Sequence, residues 1–363
     1  MNSIRIFPIL CGLLLALPVT AAADQADAGD TLVAQATITG GAGSPDEQLI
    51  ADAADATDEP SETSGLPITL NASLSFQSTL GHLFRDSLQA RSGMSSSLGL
   101  SASYQFAPSV SASLSGGYLQ YLTRYGGSVS RYEGRFQDIT VGASHASVWR
   151  EPTTGINLAL GGSAILPTSA ASRFTQLYTT LGASMTLSRS FGGFSLSLQQ
   201  RGSKNFHRYT SIVADLDRYP IDALARAESI ERITETRVAL QTGLLTSHAL
   251  ATQLTAAYRI IPGLSVSASY ALSNSWTYDN GTITEQDEFT SPNARVGRGY
   301  RQGSLGSFGV RYAFLDHYSA GLNFSTAMSP RSADNSRLRF PFWDFESGNL
   351  QYTTVSLSLS GSY

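Results

Sequence analysis

Polar side chains that can bind an anion recur in the second half of the chain. Arg201, Arg237 and Arg311 carry a fixed positive charge, and Gln241 and Gln253 add amides that both donate and accept hydrogen bonds. A guanidinium group binds a carboxylate or phosphate through two parallel donors. Inside a pore these five residues would contact solutes, and the arginines would create a field that favours anions. The alternative is that they pair with carboxylates or glutamines and fill the interior.

A second group of candidate binding residues lies in segment 328–348. Arg337 and Arg339 precede a run of aromatic residues that contains Trp343. Guanidinium groups beside aromatic rings bind anionic or aromatic solutes, or the phosphates of lipopolysaccharide. The alternative is that these rings pack against the rim of the fold.

One spacing would suit nucleophilic catalysis. His145 and Ser147 are two residues apart, which places both side chains on one face of a strand. This His-x-Ser pattern resembles that of the outer-membrane phospholipase and lipid A deacylase families, which implies hydrolysis of lipid acyl esters. The phospholipases also have an asparagine shortly downstream, and the nearest here is Asn157. By the alternation of the sequence, Asn157 points inward and His145 points outward.

Other classes of site are absent from the sequence. The five histidines are scattered and no spacing typical of a metal site occurs, so we expect no metal and no cofactor. No dense basic cluster occurs, which argues against a nucleic-acid partner. Only 14% of the residues are charged, well below the usual quarter for a soluble domain.

The elements that would carry these residues show a period of two from Pro67 to the end. In segments 68–76, 98–106 and 355–363, apolar or aromatic residues (and one glycine) alternate with Ser, Thr, Asn, Gly or Gln. Strict alternation indicates strands with one apolar and one polar face. The segments are about ten residues long, which matches a tilted strand that crosses a membrane.

The connections alternate in length, and five short turns separate six long loops. The long ones are predicted at 78–95, 121–136, 167–174, 202–235, 274–303 and 328–348. Eleven connections predict twelve strands, with both termini on the side of the short turns. Segment 236–260 keeps one phase throughout, and we expect a single long strand that projects beyond the membrane. Splitting this segment once would give an odd number of strands, and a further unrecognised strand would restore an even count at fourteen.

Aromatic residues concentrate near both ends of the predicted strands, as two interfacial girdles require. The chain ends in an aromatic residue, Tyr363, on an alternating strand. Residues 67–363 therefore resemble Gram-negative outer-membrane β-barrels. The resemblance implies that the assembly machinery of that membrane reads the C-terminal strand.

The N-terminal segments differ in character from the rest. Residues 1–23 have a basic start, an apolar centre and an Ala-rich end, as in a secretory signal peptide, which would remove Cys11. Residues 24–66 contain ten acidic and no basic residues, which predicts a disordered periplasmic tail. Within that tail, residues 30–34 resemble the short coupling box of TonB-dependent receptors, which would imply pairing with a partner's sheet edge.

The sequence predicts an all-β protein: a transmembrane antiparallel up-and-down barrel of about 12 strands, located in the outer membrane. We expect a passive, non-enzymatic channel for small solutes, which touches outer-membrane lipid and lipopolysaccharide. Two alternatives stay open: a lipid esterase that uses His145 and Ser147, and a structural or adhesive surface barrel.

Overall fold

The structure of this chain is a computed structural model. It describes residues 67–80, 93–123, 132–215, 237–279, 297–315, 317–331, 339 and 353–363, and only the backbone of 211–215 and 237–243. The predicted signal peptide and the acidic tail lie outside the described residues. Within the described residues, no helix is long and apolar enough to cross a membrane.

Twelve antiparallel strands form a closed ring, which confirms the predicted fold class and strand number. The strands of the ring are β1 (Ile68–Thr79), β2 (Met94–Ala107), β3 (Val110–Tyr121), β5 (Ile139–Arg150), β6 (Asn157–Leu166), β7 (Leu177–Phe191), β8 (Phe194–His207), β11 (Thr246–Ile261), β12 (Leu264–Asp279), β13 (Arg298–Phe314), β14 (Tyr318–Met328) and β15 (Thr353–Ser362). The short strand β4 (Gly134–Phe136) belongs to the same sheet and pairs with β3 beyond the part that pairs with β5. Two further strands, β9 (Ser211–Asp215) and β10 (Arg237–Leu244), pair with each other outside the ring.

The ring closes where the first and last strands pair. β1 pairs with β15 on one side and with β2 on the other, and every neighbouring pair in the ring is antiparallel. The backbones of Leu70 and Tyr363 exchange two hydrogen bonds, of 2.8 and 2.9 Å, at the last position of this seam. A closed ring leaves no unpaired strand edge, which a sheet inside a membrane requires.

Short turns and long connections lie at opposite ends of the barrel, as the sequence predicts. The strand pairs β2–β3, β5–β6, β7–β8, β11–β12 and β13–β14 are joined by two to six residues. Residues Ile68 and Ser362 lie at the short-turn end, so the barrel begins and finishes there. The long-loop end carries the helix α1 (Ala170–Phe174), whose Ser169 cap accepts a hydrogen bond from the Ser172 backbone.

The outer face of the wall is apolar and the inner face is polar. On β8, for example, Leu196 and Leu198 are exposed on the outside, while Ser195 and Ser197 face inward. Aromatic side chains form a girdle near the short turns, and the members with about 40 to 70% of their surface exposed are Tyr104, Phe106, Trp149, Phe191, Tyr258 and Tyr312. This distribution is typical of a barrel whose outer surface meets lipid.

The stretch that the sequence predicts as one long strand is divided at Leu245. Residues Thr246–Ile261 form β11 and pair with β8 and β12 in the ring. Residues Arg237–Leu244 form β10, which pairs with β9 as a separate two-stranded sheet. The extra length therefore continues beyond the barrel wall, and the strand number stays even.

Candidate functional site: the inner face of the barrel wall

Glycine stands opposite serine at seven inward positions of the wall. In each pair, a Cβ atom built on the glycine would approach the serine Oγ to between 2.6 and 3.2 Å. The serine hydroxyl thus occupies the space above the glycine and lies flat against the sheet. The pairs are Gly99–Ser73, Gly142–Ser113, Gly161–Ser184, Gly182–Ser163, Gly303–Ser273, Gly309–Ser267 and Gly321–Ser358.

Other inward hydroxyls bind one another across neighbouring strands. Five such pairs have oxygen–oxygen distances of 2.6 to 2.9 Å: Ser75–Ser97, Ser111–Ser144, Ser269–Ser307, Ser319–Ser360 and Ser325–Thr354. A paired hydroxyl satisfies part of its own hydrogen bonding and does not need a long partner from the opposite wall. The lining is therefore thin as well as polar.

The interior contains no apolar core in the described part of the chain. Only two apolar residues there are buried, Leu245 and Ala271, and no large side chain falls below 2% exposure. A barrel that is filled by its own side chains would bury many of them. The inward residues that are buried in the described wall are small, such as Ser75, Thr255 and Ser319, and they do not fill the interior.

Arginines are the longest side chains on this thin lining. Arg259 and Arg311 flank Ser265 in one hydrogen-bonded row near the short-turn end. Because they lie on alternate strands, their backbones are about 10 Å apart. Arg201 faces inward on β8 and pairs with Ala251, eight residues from Arg259 along β11. Arg201 and Arg311 are both exposed.

The strands of the ring carry a strong excess of positive charge. Asp279, at the end of β12, is their only acidic residue, while they contain eight Arg or Lys. Five of the eight are on inward positions: Arg150, Arg201, Arg259, Arg301 and Arg311. The inward positions of the described strands therefore carry a net positive charge.

The remaining predicted contact residues are distributed over several places. Gln253 faces inward on β11 and its amide nitrogen donates to Thr255 Oγ1 at 3.3 Å. The backbones of Arg237 and Gln241 lie in β10, outside the ring. Arg339 donates a backbone hydrogen bond of 2.8 Å to Pro330 at the long-loop end. Arg337 and Trp343 lie outside the described residues.

The structure does not assemble His145, Ser147 and Asn157 into a catalytic group. A β-bulge interrupts β5 between His145 and Trp149, and Ser147 lies within it. Within the described residues, the His145 ring contacts Ser109 Oγ at 3.4 Å rather than Ser147. Asn157 donates to the backbone oxygen of Ala146 at 2.8 Å. The three residues also lie near the short turns.

The alternation of the sequence predicts that glycine, serine and arginine face inward, but it does not predict which of them are neighbours on adjacent strands. The glycine–serine pairs and the row formed by Arg259, Ser265 and Arg311 depend on the register between strands. Alternation alone fixes the face of a residue and not its partner on the next strand. Turn lengths carry the only further signal, because a short turn restricts the register of its own hairpin.

Among known proteins, the chain shows similarity in fold to solved structures only. No family model matches, and no curated protein matches. An outer-membrane channel from Pseudomonas putida F1 aligns with a TM-score of 0.48 and 10% identity, over 84% of this chain and 100% of the other. The NanC porin aligns with a TM-score of 0.43 and 10% identity, over 81% of this chain and 98% of the other. The KdgM porin aligns with a TM-score of 0.39 and 8% identity, over 81% and 99%.

The architecture of the chain itself determines its class. A closed ring of twelve strands, an apolar outer face with an aromatic girdle, and short turns at one end only are the properties of membrane-spanning barrels. The chain has the fold of a closed, membrane-spanning antiparallel β-barrel of twelve strands.

Proposed function

We propose that this protein is a passive channel for small solutes and that it favours anions. The thin inner lining carries this proposal: glycine and paired hydroxyls cover the wall, and arginines are the groups that project from it. Passive conduction needs weak, repeated contacts, because a solute that binds tightly does not leave. A hydroxyl-lined wall with a positive field supplies contacts of that kind.

The width of the barrel supports conduction. Twelve strands spaced about 4.8 Å apart and tilted by roughly 40° enclose about 24 Å between opposite backbones. Serine and glycine occupy little of that distance, so the described wall alone leaves space for hydrated small anions. The residues that bind solute are proposed to be Arg201, Arg259 and Arg311 along the wall, with Gln253 between them.

Single-channel recording in a planar bilayer tests this function. We expect discrete conductance steps, and a reversal potential in a KCl gradient that shows preference for chloride. Replacing Arg259 and Arg311 together by Gln should shift the reversal potential towards zero, the value of a channel that does not distinguish chloride from potassium. The matched control is Arg189→Gln, because Arg189 lies on the outer face, with its guanidinium 4.2 Å from the Phe191 ring.

Two results would contradict the proposal. Folded wild-type protein that gives no conductance steps would remove the channel itself. Equal chloride preference in the wild type and the Arg259→Gln, Arg311→Gln variant would remove the role of these arginines and leave the channel.

The outer membrane is the proposed location, and orientation follows from the loops. In barrels of this membrane the short turns face the periplasm. With Ile68 at the short-turn end, the acidic segment 24–66 would begin in the periplasm after removal of residues 1–23. The long loops would then face the cell exterior, next to lipopolysaccharide.

A further inference from the structure

A polar and aromatic patch interrupts the apolar outer face at the long-loop end. One hydrogen-bonded row across four strands places Lys204, His248, Trp276 and Tyr300 side by side. All four occupy outward positions, in line with exposed Leu198 and its neighbours farther down the wall. We call these four residues the rim row. Nothing in the proposed conduction path uses it.

Lys204 is the only lysine in the chain, and aromatic groups surround its ammonium. The ammonium donates to Ser247 Oγ and lies 5.0 Å from the Tyr278 ring and 6.0 Å from the Phe206 ring. Ser247 is brought there by a β-bulge, where β11 has an extra residue opposite β12. These contacts fix the position of a positive charge at the outer rim of the barrel.

The other three residues of the rim row stack on one another. The His248 and Trp276 rings are parallel within 16°, with centroids 5.0 Å apart, and Tyr300 follows at 5.5 Å from Trp276. Arg298 lies two residues before Tyr300 on the same outward face of β13, opposite Asp279 at the end of β12, and adds a second cation to the patch. Tyr300 is 54% exposed on the outside. Flat rings with adjacent cations suit a surface where lipid headgroups begin.

Amides follow in the two rows below, before the wall becomes apolar. Asn274 Oδ1 accepts hydrogen bonds from the Tyr300 hydroxyl and from Gln302 Nε2, the latter at 3.1 Å. In the next row, Thr252 donates to Gln200 Oε1 at 2.9 Å. Hydrocarbon cannot hydrogen-bond to these groups, and their exposure to it is unfavourable. A ligand that covers them needs polar atoms at this position.

We infer that this outer face binds a phosphorylated, acylated glycolipid of the surrounding leaflet. Its phosphate would contact Lys204 and Arg298, and its sugar would lie against Trp276 and Tyr300. Its amide and ester groups would meet Gln200, Asn274 and Gln302, and its acyl chains would cover the leucines below. The order of chemical groups down the wall thus matches that along the lipid. This inference rests on the outer-membrane location proposed above.

A second copy of this chain fits the patch less well. A two-fold interface would bring the same surface from both copies together, and Lys204 and Arg298 would face their own duplicates. Like charges placed opposite one another in an interface are unfavourable. An anionic lipid neutralises the same charges.

Native mass spectrometry of the folded full barrel in detergent tests the inference. The probes are lipid A with both phosphates, the same lipid with its phosphates removed, and inorganic phosphate as a competitor. We expect Lys204→Gln with Arg298→Gln to weaken binding of the phosphorylated lipid about 25-fold, from about fivefold per charge. Lys204→Arg should retain binding, and Arg189→Gln, which removes an outward cation at the opposite end, should not change it.

The outcomes separate cleanly. Removing the phosphates from the lipid should weaken its binding to the wild type as much as the double substitution weakens binding of the phosphorylated lipid. Inorganic phosphate should not displace the phosphorylated lipid from the wild type. Equal affinity for both lipids, full competition by inorganic phosphate, or dimers crosslinked through this face would overturn the inference. If the double variant does not fold, the difference in affinity of the wild type for the two lipids still tests the inference. Conductance is measured separately, so failure of the channel proposal would not be confused with failure of lipid binding.

Discussion

At the scale of single residues, the wall depends on small side chains that meet in defined pairs. Gly161 and Gly162 are neighbours on β6 and show the difference between the two faces. A Cβ on Gly161 would lie 2.7 Å from Ser184 Oγ on the inner face, whereas the nearest atom to a Cβ on Gly162 is 3.9 Å away. The same change therefore has different consequences at adjacent positions.

We expect Gly161→Ala to lower the free energy of unfolding by about 1 kcal/mol, because the Ser184 hydroxyl must rotate away. Combining it with Ser184→Ala should restore most of the loss, as expected for residues in contact. Urea unfolding in lipid vesicles, followed by tryptophan fluorescence, measures both. Gly162→Ala is the control and should be neutral or slightly stabilising. Equal losses at the two glycines would show that the paired serine is not responsible.

Sequence alone predicts the face of these residues and not their partners. Alternation places Ser184, Arg201 and Arg311 inward because strands have a period of two. It does not predict that Arg311 shares a row with Arg259, since that depends on the stagger of three strands. The Lys204–Ser247 contact is less predictable still, because it depends on an irregularity in β11.

At the scale of elements, strand number and turn positions follow from the sequence, while strand ends do not. The predicted loops at 202–235 and 274–303 begin inside the described strands β8 and β12, which extend to His207 and Asp279. These ends carry polar and aromatic residues in place of alternating apolar ones. Hydrogen bonds such as that from the Tyr278 hydroxyl to the Asn205 carbonyl, at 2.6 Å, hold them in strand geometry.

Two turns with left-handed glycines give a test at this scale. Gly263 has φ +83°, and a Cβ there would lie 2.8 Å from the Ala313 carbonyl oxygen. Gly192 has φ +59° with open space around it. We expect Gly192→Ala to cost about 1 kcal/mol from backbone conformation alone, and Gly263→Ala to cost about 2–3 kcal/mol because of the added contact.

Chemical unfolding of both turn variants in vesicles, under identical conditions, measures the difference. An Asn substitution at each position separates the two contributions, because asparagine tolerates positive φ better than alanine. Equal costs at Gly192 and Gly263 would mean that the approach to Ala313 is relieved without a penalty.

At the scale of the whole molecule, the seam between β1 and β15 joins the two ends of the barrel. Its last backbone hydrogen bonds involve Tyr363, yet the Tyr363 side chain is 87% exposed. The backbone of this residue therefore contributes to closure, while its ring is accessible to another protein.

We expect Tyr363→Ala to change the free energy of unfolding by less than about 0.5 kcal/mol, since an exposed ring contributes little. Insertion in cells should nevertheless decrease, because the resemblance of the C-terminal strand implies recognition by the assembly machinery. Unfolding in vesicles and the amount of folded barrel in cell membranes are the two measurements. Unchanged insertion would contradict that role of the ring, and a large loss of stability would indicate that it packs in the seam.

The seam also sets the timing of folding. Asn71 pairs with Ser362, so the ring needs a contact between residues near opposite ends of the barrel sequence. Contacts of such long sequence separation form slowly. Until β1 and β15 pair, both are open edges that can pair with other chains. The barrel is therefore vulnerable to aggregation until this seam closes, and a chaperone that covers strand edges would act in that interval.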